Sequence, residues 1–182
     1  VEQMVIDDEI VYGRVKDLLQ GMAPEWADRL KLYKGSNIFE YYEIEAEAVS
    51  AGNRQVPLAS GGFLVIDKTE AMTVIDVNTG SFVGNISLGE TAFALNKEAA
   101  VEIMHQLRLR DIGGIVLVDF IDMEKEEHNK ALLQLLRQLA QQDRTKTHVV
   151  DITALGLVEI TRKKTRHNID NLLYRDCPVC QG

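Results

Sequence analysis

Cysteine is scarce in this sequence: two occur in 182 residues, three positions apart, so no disulfide framework holds the fold together. Proline occurs three times, which excludes proline-rich linkers. No apolar run approaches the roughly 20 residues of a membrane-spanning helix. The first residues also lack a basic segment leading into an apolar one. The expectation is a cytoplasmic protein with no membrane span. Positive charge is in the minority, with 20 Lys and Arg against 28 Asp and Glu and a net charge of -8. That argues against a basic coat, the commonest footprint of nucleic-acid binding. The deficit is uneven, however: residues 1–50 hold eleven acidic and five basic side chains, and the remainder is nearly balanced. A Walker-type phosphate loop, a His-Glu-x-x-His helix and a nucleophile elbow are all missing, which removes the commonest enzyme classes.

What is present reads as a folded domain of ordinary size, with 46% hydrophobic and 26% charged residues. The sequence starts at Val1 inside patterned sequence and stops two residues after the second cysteine, so a piece of a longer protein is expected. Val11, Val15, Leu18 and Leu19 stand at helical spacing ahead of Gly21 and Pro24. A second helical pattern runs from Ile38 to Val49, and together these predict a small α-rich subdomain over residues 1–54. From Gly61 the period becomes two. Phe63 to Asp67 and Met72 to Val77 predict a hairpin joined by Lys68 to Ala71. Leu95, Ala99, Ile103 and Leu107, four apart, predict a long helix, which Gly113 and Gly114 are expected to break. Ile115 to Phe120 is a continuous apolar run, expected to be a strand covered on both faces. A helix carrying Leu132, Leu136 and Leu139 follows, then strands near His148–Ile152 and Leu157–Thr161. The fold class is α/β: a layered sheet with flanking helices over residues 55–172, with 173–182 as a separate cysteine motif.

Asp76 closes one predicted strand, with Asn78 on the same face, and Asp119 closes another, with Asp122 just beyond. If those strand ends are neighbours, carboxylates converge on a rim of the kind where α/β proteins build sites. Magnesium suits such a place, because it takes one or two carboxylates and keeps waters for a phosphate. The competing reading is that these aspartates cap the turns and helices that follow. A basic run, Arg162, Lys163, Lys164 and Arg166, together with Arg108, Arg110, Arg144 and Lys146, offers contacts for phosphates or else a solvated face. Cys177 and Cys180 supply two of the four ligands of a structural zinc site, and an identical pair from a second chain would complete it. The rival is a redox pair. His105, His128, His148 and His167 read as ordinary histidines.

Four stretches, GGFLVIDKTEAMTVIDVNTG, QLRLRDIGGIVLVDFIDM, GLVEITRKKTR and CPVCQG, strongly resemble the ribonuclease E/G family in order and spacing. The resemblance covers most of residues 55–182 and is less sharp over the first 50. It implies an endoribonuclease that cuts single-stranded RNA and leaves a 5′ phosphate, with magnesium on Asp76 and Asp119 and with Asn78 orienting the site. It implies a zinc shared by Cys177 and Cys180 of two protomers, and hence a homo-oligomer. It also implies a deoxyribonuclease-I-like domain preceded by part of an RNase H-like subdomain. The family's OB-fold domain and 5′-monophosphate sensor have no counterpart within the 182 residues, and Ala59 stands where relatives often carry lysine. A non-catalytic RNA-binding or assembly module is the alternative function.

Overall fold

A computed structural model of the chain describes residues 2–80, 88–165 and 178. The chain divides into two compact units, 1–48 and 49–182. In the first, β1 (Met4–Ile6) and β2 (Leu30–Leu32) pair in parallel, connected by α1 (Glu9–Met22) and a 3-10 turn over Pro24–Arg29. Helices make up most of this unit, and it also contains a small βαβ arrangement that was not expected, because three-residue strands are too short to show a period. Asp8 caps α1, its carboxylate accepting the Val11 amide at 2.8 Å. No α1 residue is buried, so Val11 and Leu18 do not form a core stripe here. The single helix expected over 38–49 is two, α2 (Ile38–Tyr41) and α3 (Ile44–Ser50), because Glu43 adopts φ +57° between them.

The larger unit is built on a six-stranded mixed sheet, ordered β3 (Gln55–Pro57), β4 (Phe63–Lys68), β5 (Met72–Asn78), β6 (Gly114–Asp119), β8 (Val158–Arg162) and β7 (Thr147–Ile152). The predicted hairpin is β4–β5. The short edge strand β3 carries only Val56 inward and left no readable pattern. Helix α4 (Leu88–Leu109) links β5 to β6, which run parallel; all other pairs in this sheet are antiparallel. Helix α5 (Glu126–Gln141) links β6 to β7 and packs on α4.

Both helices lie on one face. Leu64, Ile66, Ile75, Val77, Val116, Val118, Val158 and Ile160 alternate inward and meet Leu95, Ala99, Ile103, Leu107, Leu132 and Leu136 in one core. The other face is uncovered among the described residues: Ile115 is exposed and Leu117 half-buried. The apolar residues of β6 are thus covered on one side only among the described residues, contrary to expectation.

The stop of α4 also differs from the reading of its sequence. Asp111, at φ +48°, takes the left-handed position, the Ile112 amide reaches back to the Leu107 carbonyl at 3.0 Å, and Asp111 N–H reaches Arg108 at 3.2 Å. This is a Schellman cap with buried Ile112 over buried Leu107. The glycines that follow serve the strand entry. Gly114 has φ +101°, and a Cβ on Gly113 would lie 2.9 Å from the Lys164 backbone.

Arg162 closes this end of the core. Its side chain is 4% exposed and donates Nε to Asp143 Oδ2 at 2.9 Å, and Nη1 to Asp111 Oδ1 at 2.8 Å and to the Ile112 carbonyl at 3.0 Å. Burial alone would raise the Asp143 carboxyl, but the hydrogen bonds from Arg162, the Thr145 amide and the Thr147 hydroxyl outweigh it and hold the group below the usual carboxylate range. A depressed folded-state value stabilises the fold above the unfolded value and ceases to do so as pH falls through the folded one. Asp143→Asn is therefore expected to cost about 3 kcal/mol at neutral pH. The gap from the unsubstituted chain should narrow as pH falls below about 4, as followed by urea unfolding. A gap that persisted undiminished into strong acid would exclude the carboxylate as its source.

Candidate metal and nucleic-acid site

The parallel pairing of β5 with β6 sets Asp76 directly beside Asp119. Their neighbours Ile75, Val77 and Val118 point into the core, so both carboxylates project from the uncovered face, and both are exposed. Adjacent strands lie about 4.8 Å apart, and like charges directly opposite one another on a sheet are destabilising. No stability argument recommends this pair. Asn78, two residues along β5 and on the same face, donates Nδ2 to Asp76 Oδ2 at 2.9 Å and holds that carboxylate in place. The three residues singled out from the sequence are thus brought together. Asp119 does not cap α5, whose N-cap is Lys125, with the helix starting at Glu126.

Two hard carboxylates on an open face, one of them held by an amide, suit magnesium, which needs few protein oxygens and retains water. The donor set is small. Among the described residues no group of three or more His, Cys, Asp and Glu gathers around one point.

Two supports missed in the sequence brace the elements that carry the pair and Asn78. On α4, Asn96 is fully buried and makes two hydrogen bonds to Ile121, just past Asp119: Nδ2 to the Ile121 carbonyl at 2.7 Å and Ile121 N–H to Oδ1 at 3.1 Å. Its signal was available, because Asn96 stands on the same stripe as Ala99, Ala100, Ile103 and Leu107, where a polar residue is out of place. The second is Glu98, which accepts the Ser60 amide at 3.1 Å. At the neighbouring turn, a Cβ on Gly62 would lie 2.7 Å from the Asn78 carbonyl, so only glycine fits there without displacement.

The basic residues gather elsewhere. Arg162 pairs with Gly114, at the opposite end of β6 from Asp119. Five residues at about 3.3 Å each make that separation roughly 17 Å. Arg108 and Arg144, both exposed, line an open depression there with Gln142, Asp143, Thr145 and Arg162. Lys146, Lys163 and Lys164 are exposed, the Lys163 amide donating to the Lys146 carbonyl at 3.0 Å. Two members of the expected phosphate-binding set are structural. Arg162 is committed to Asp143 and Asp111, and Arg110 is buried with Nε on Gln106 Oε1 at 2.6 Å. Sequence spacing cannot tell a buried, paired arginine from an exposed one.

Cys177, Cys180, Arg166 and His167 lie outside the described residues; of the cysteine motif only Pro178 is described, as an exposed turn residue. No helix among the described residues is long and apolar enough to cross a membrane.

The profile of the Ribonuclease E/G family matches residues 1–165. Ribonuclease G of Haemophilus influenzae is 46% identical over the whole chain, which spans 37% of that relative. Ribonuclease G of Escherichia coli K12 is 44% identical, with the chain again spanning 37% of it. Ribonuclease E of Escherichia coli K12 is 38% identical, the chain spanning 17% of its length. This chain belongs to the ribonuclease E/G family, and it covers little more than a third of the ribonuclease G relatives that it matches from end to end.

The carboxylate pair yields a test that needs no activity. In EDTA, Asp119→Asn should raise the melting temperature by about 1–3 °C, since removing one of two facing charges relieves a repulsion of a few tenths of a kcal/mol or more. A fall in calorimetry would show that Asp119 has a stabilising partner instead.

Proposed function

We propose that this chain is the catalytic core of an endoribonuclease that hydrolyses single-stranded RNA with magnesium held by Asp76 and Asp119. The observation that carries the reading is the side-by-side register of these two aspartates, with Asn78 bonded to the first. The names of the relatives support RNA as the substrate. Magnesium, when bound, would supply charge neutralisation at the attacked phosphate and an acidified water.

The chain's own groups have separate tasks. Asp76 and Asp119 would hold the ion through carboxylate oxygens on the uncovered face of the sheet. Asn78 orients Asp76 and leaves its other carboxylate oxygen for the ion. No side chain has to act as nucleophile, which agrees with the absence of any nucleophile motif. Arg108, Arg144, Lys146, Lys163 and Lys164 contact phosphates of the same RNA strand well away from the cut, so they contribute affinity rather than chemistry. The layering follows the family resemblance: a deoxyribonuclease-I-like catalytic domain after part of an RNase H-like subdomain. Cys177 and Cys180 of two chains share one zinc, making a homo-oligomer, and the enzyme works in the cytoplasm.

Asp76→Asn and Asp119→Asn should each abolish magnesium-dependent cleavage of a fluorescent single-stranded oligoribonucleotide while leaving the circular dichroism spectrum unchanged; near-normal cleavage by either variant would overturn the assignment. Asn78→Ala should be milder, because it removes an orienting bond and no ligand charge. Lys163→Ala with Lys164→Ala should weaken RNA binding and reduce the slope of log affinity against log salt by about 2, one per lost phosphate contact. An unchanged slope would return these lysines to a solvated face. Metal analysis with light scattering should find half a zinc per chain in a dimer that Cys177→Ser converts toward monomer. One zinc per monomer, or a metal-free dimer, would exclude the shared site.

A further inference from the structure

We propose that Asn96 is a positioning residue of the metal site, acting through Ile121 to hold Asp119 in register with Asp76. The inference rests on the metal-site reading above and assigns its support to a residue outside the site's own strands.

The ladder of the sheet ends at the proposed site. Strand β6 pairs with β5 as far as Asp76 and Asp119, and with β8 as far as Val118 and Val158. Beyond Asp119 the backbone has no strand neighbour in this sheet, and an unpaired chain end is free to curl or fray. Ile121 nevertheless has both of its backbone groups satisfied, by the amide of Asn96. A side-chain amide offers the same donor and acceptor as a peptide group. Asn96 therefore stands in for the missing strand and keeps the chain bonded past the point where the ladder ends. Asp119 is held between two fixed points, the β5 register on one side and this clamp on the other. Phe120, buried in the core, allows little rotation between them.

Asn96 is well placed for this work. Its side chain leaves α4, which also packs Leu95, Ala99 and Ile103 into the core and so cannot drift relative to β5 and β6. Asn96 shows no exposed surface, so its polar atoms depend on these bonds rather than on water. An apolar residue at this place on the stripe would pack in the core but would leave both Ile121 backbone groups without this partner. The polar choice supplies two bonds, both to the segment that directs a proposed ligand.

Metal binding separates positioning from general stability. The experiment uses the 182-residue chain and manganese as the probe, titrated with electron paramagnetic resonance of the free ion. Asn96→Ala and the near-isosteric Asn96→Leu should each weaken manganese binding by about ten- to a hundredfold, as loss of an outer partner of a metal ligand does. Both should also lose hydrogen-exchange protection at the Ile121 amide. Leu136→Ala, nearly three turns into α5, opens a cavity in the core and should lower the melting temperature while leaving manganese affinity within about twofold. Wild-type affinity in a folded Asn96→Leu chain would overturn the positioning role, as would an equal loss of affinity in Leu136→Ala. The metal-site reading fails in a different experiment: if the unsubstituted chain binds manganese no better than Asp76→Asn does, the site itself is refuted, and the role of Asn96 toward it goes with it.

Discussion

The arrangement of this domain turns on one juxtaposition that cross-strand energetics disfavour, Asp76 directly beside Asp119 on adjacent strands. A sheet face has many positions where two acids could be kept apart, and cross-strand energetics favour doing so. Much of the surrounding structure holds them together. Parallel pairing of β5 with β6 needs a crossover, which α4 supplies, and the core residues of α4 lock that helix to the sheet. Asn78 fixes one carboxylate directly, and the buried clamp of Asn96 on Ile121 fixes the course of the chain beyond the other. A cation bound there would offset the repulsion between the two acids, which is the physical content of proposing magnesium at this place.

The two ends of β6 have different characters. One carries the acidic pair on an open face. The other carries exposed arginines and lysines around a buried ion network, about 17 Å away by strand rise. A polyanion spanning both ends of β6 would meet positive side chains at one end and the acidic pair at the other. The net charge of -8 conceals this, because the acidic excess belongs mainly to the first 50 residues, which form a compact unit of their own over residues 1–48. Arg162 belongs to the architecture of the basic end rather than to its surface. Its partners Asp143 and Asp111 come from the turns that follow α5 and α4, so one guanidinium ties the ends of both helices to the last residue of β8.

Elements with a strong period were legible in the sequence. The β4–β5 hairpin, the core stripe of α4, the β6 strand and α5 all appear within a few residues of where alternation or helical spacing places them. The acidic pair and Asn78 were legible as strand-end polar residues, and their convergence depended only on β5 and β6 being neighbours. Less could be read where local signals are short or ambiguous. β1, β2 and β3 each have three residues, too few to establish a period. Asp111 terminates α4 through a left-handed conformation that aspartate adopts without announcing it, while the adjacent glycines drew the boundary to themselves. The one-sided burial of β6 and the burial of Arg110 and Arg162 are tertiary facts, since an apolar run and a basic run look alike whether covered or open.

On the proposed reading, the facing aspartates hold a divalent cation. Crystals of this chain grown with manganese in place of magnesium would decide it, because anomalous scattering locates the ion independently of any activity. One peak is expected within coordination distance of carboxylate oxygens from both Asp76 and Asp119, absent in Asp76→Asn crystals prepared the same way. Manganese found elsewhere on the chain, with no peak between these two carboxylates, would contradict it.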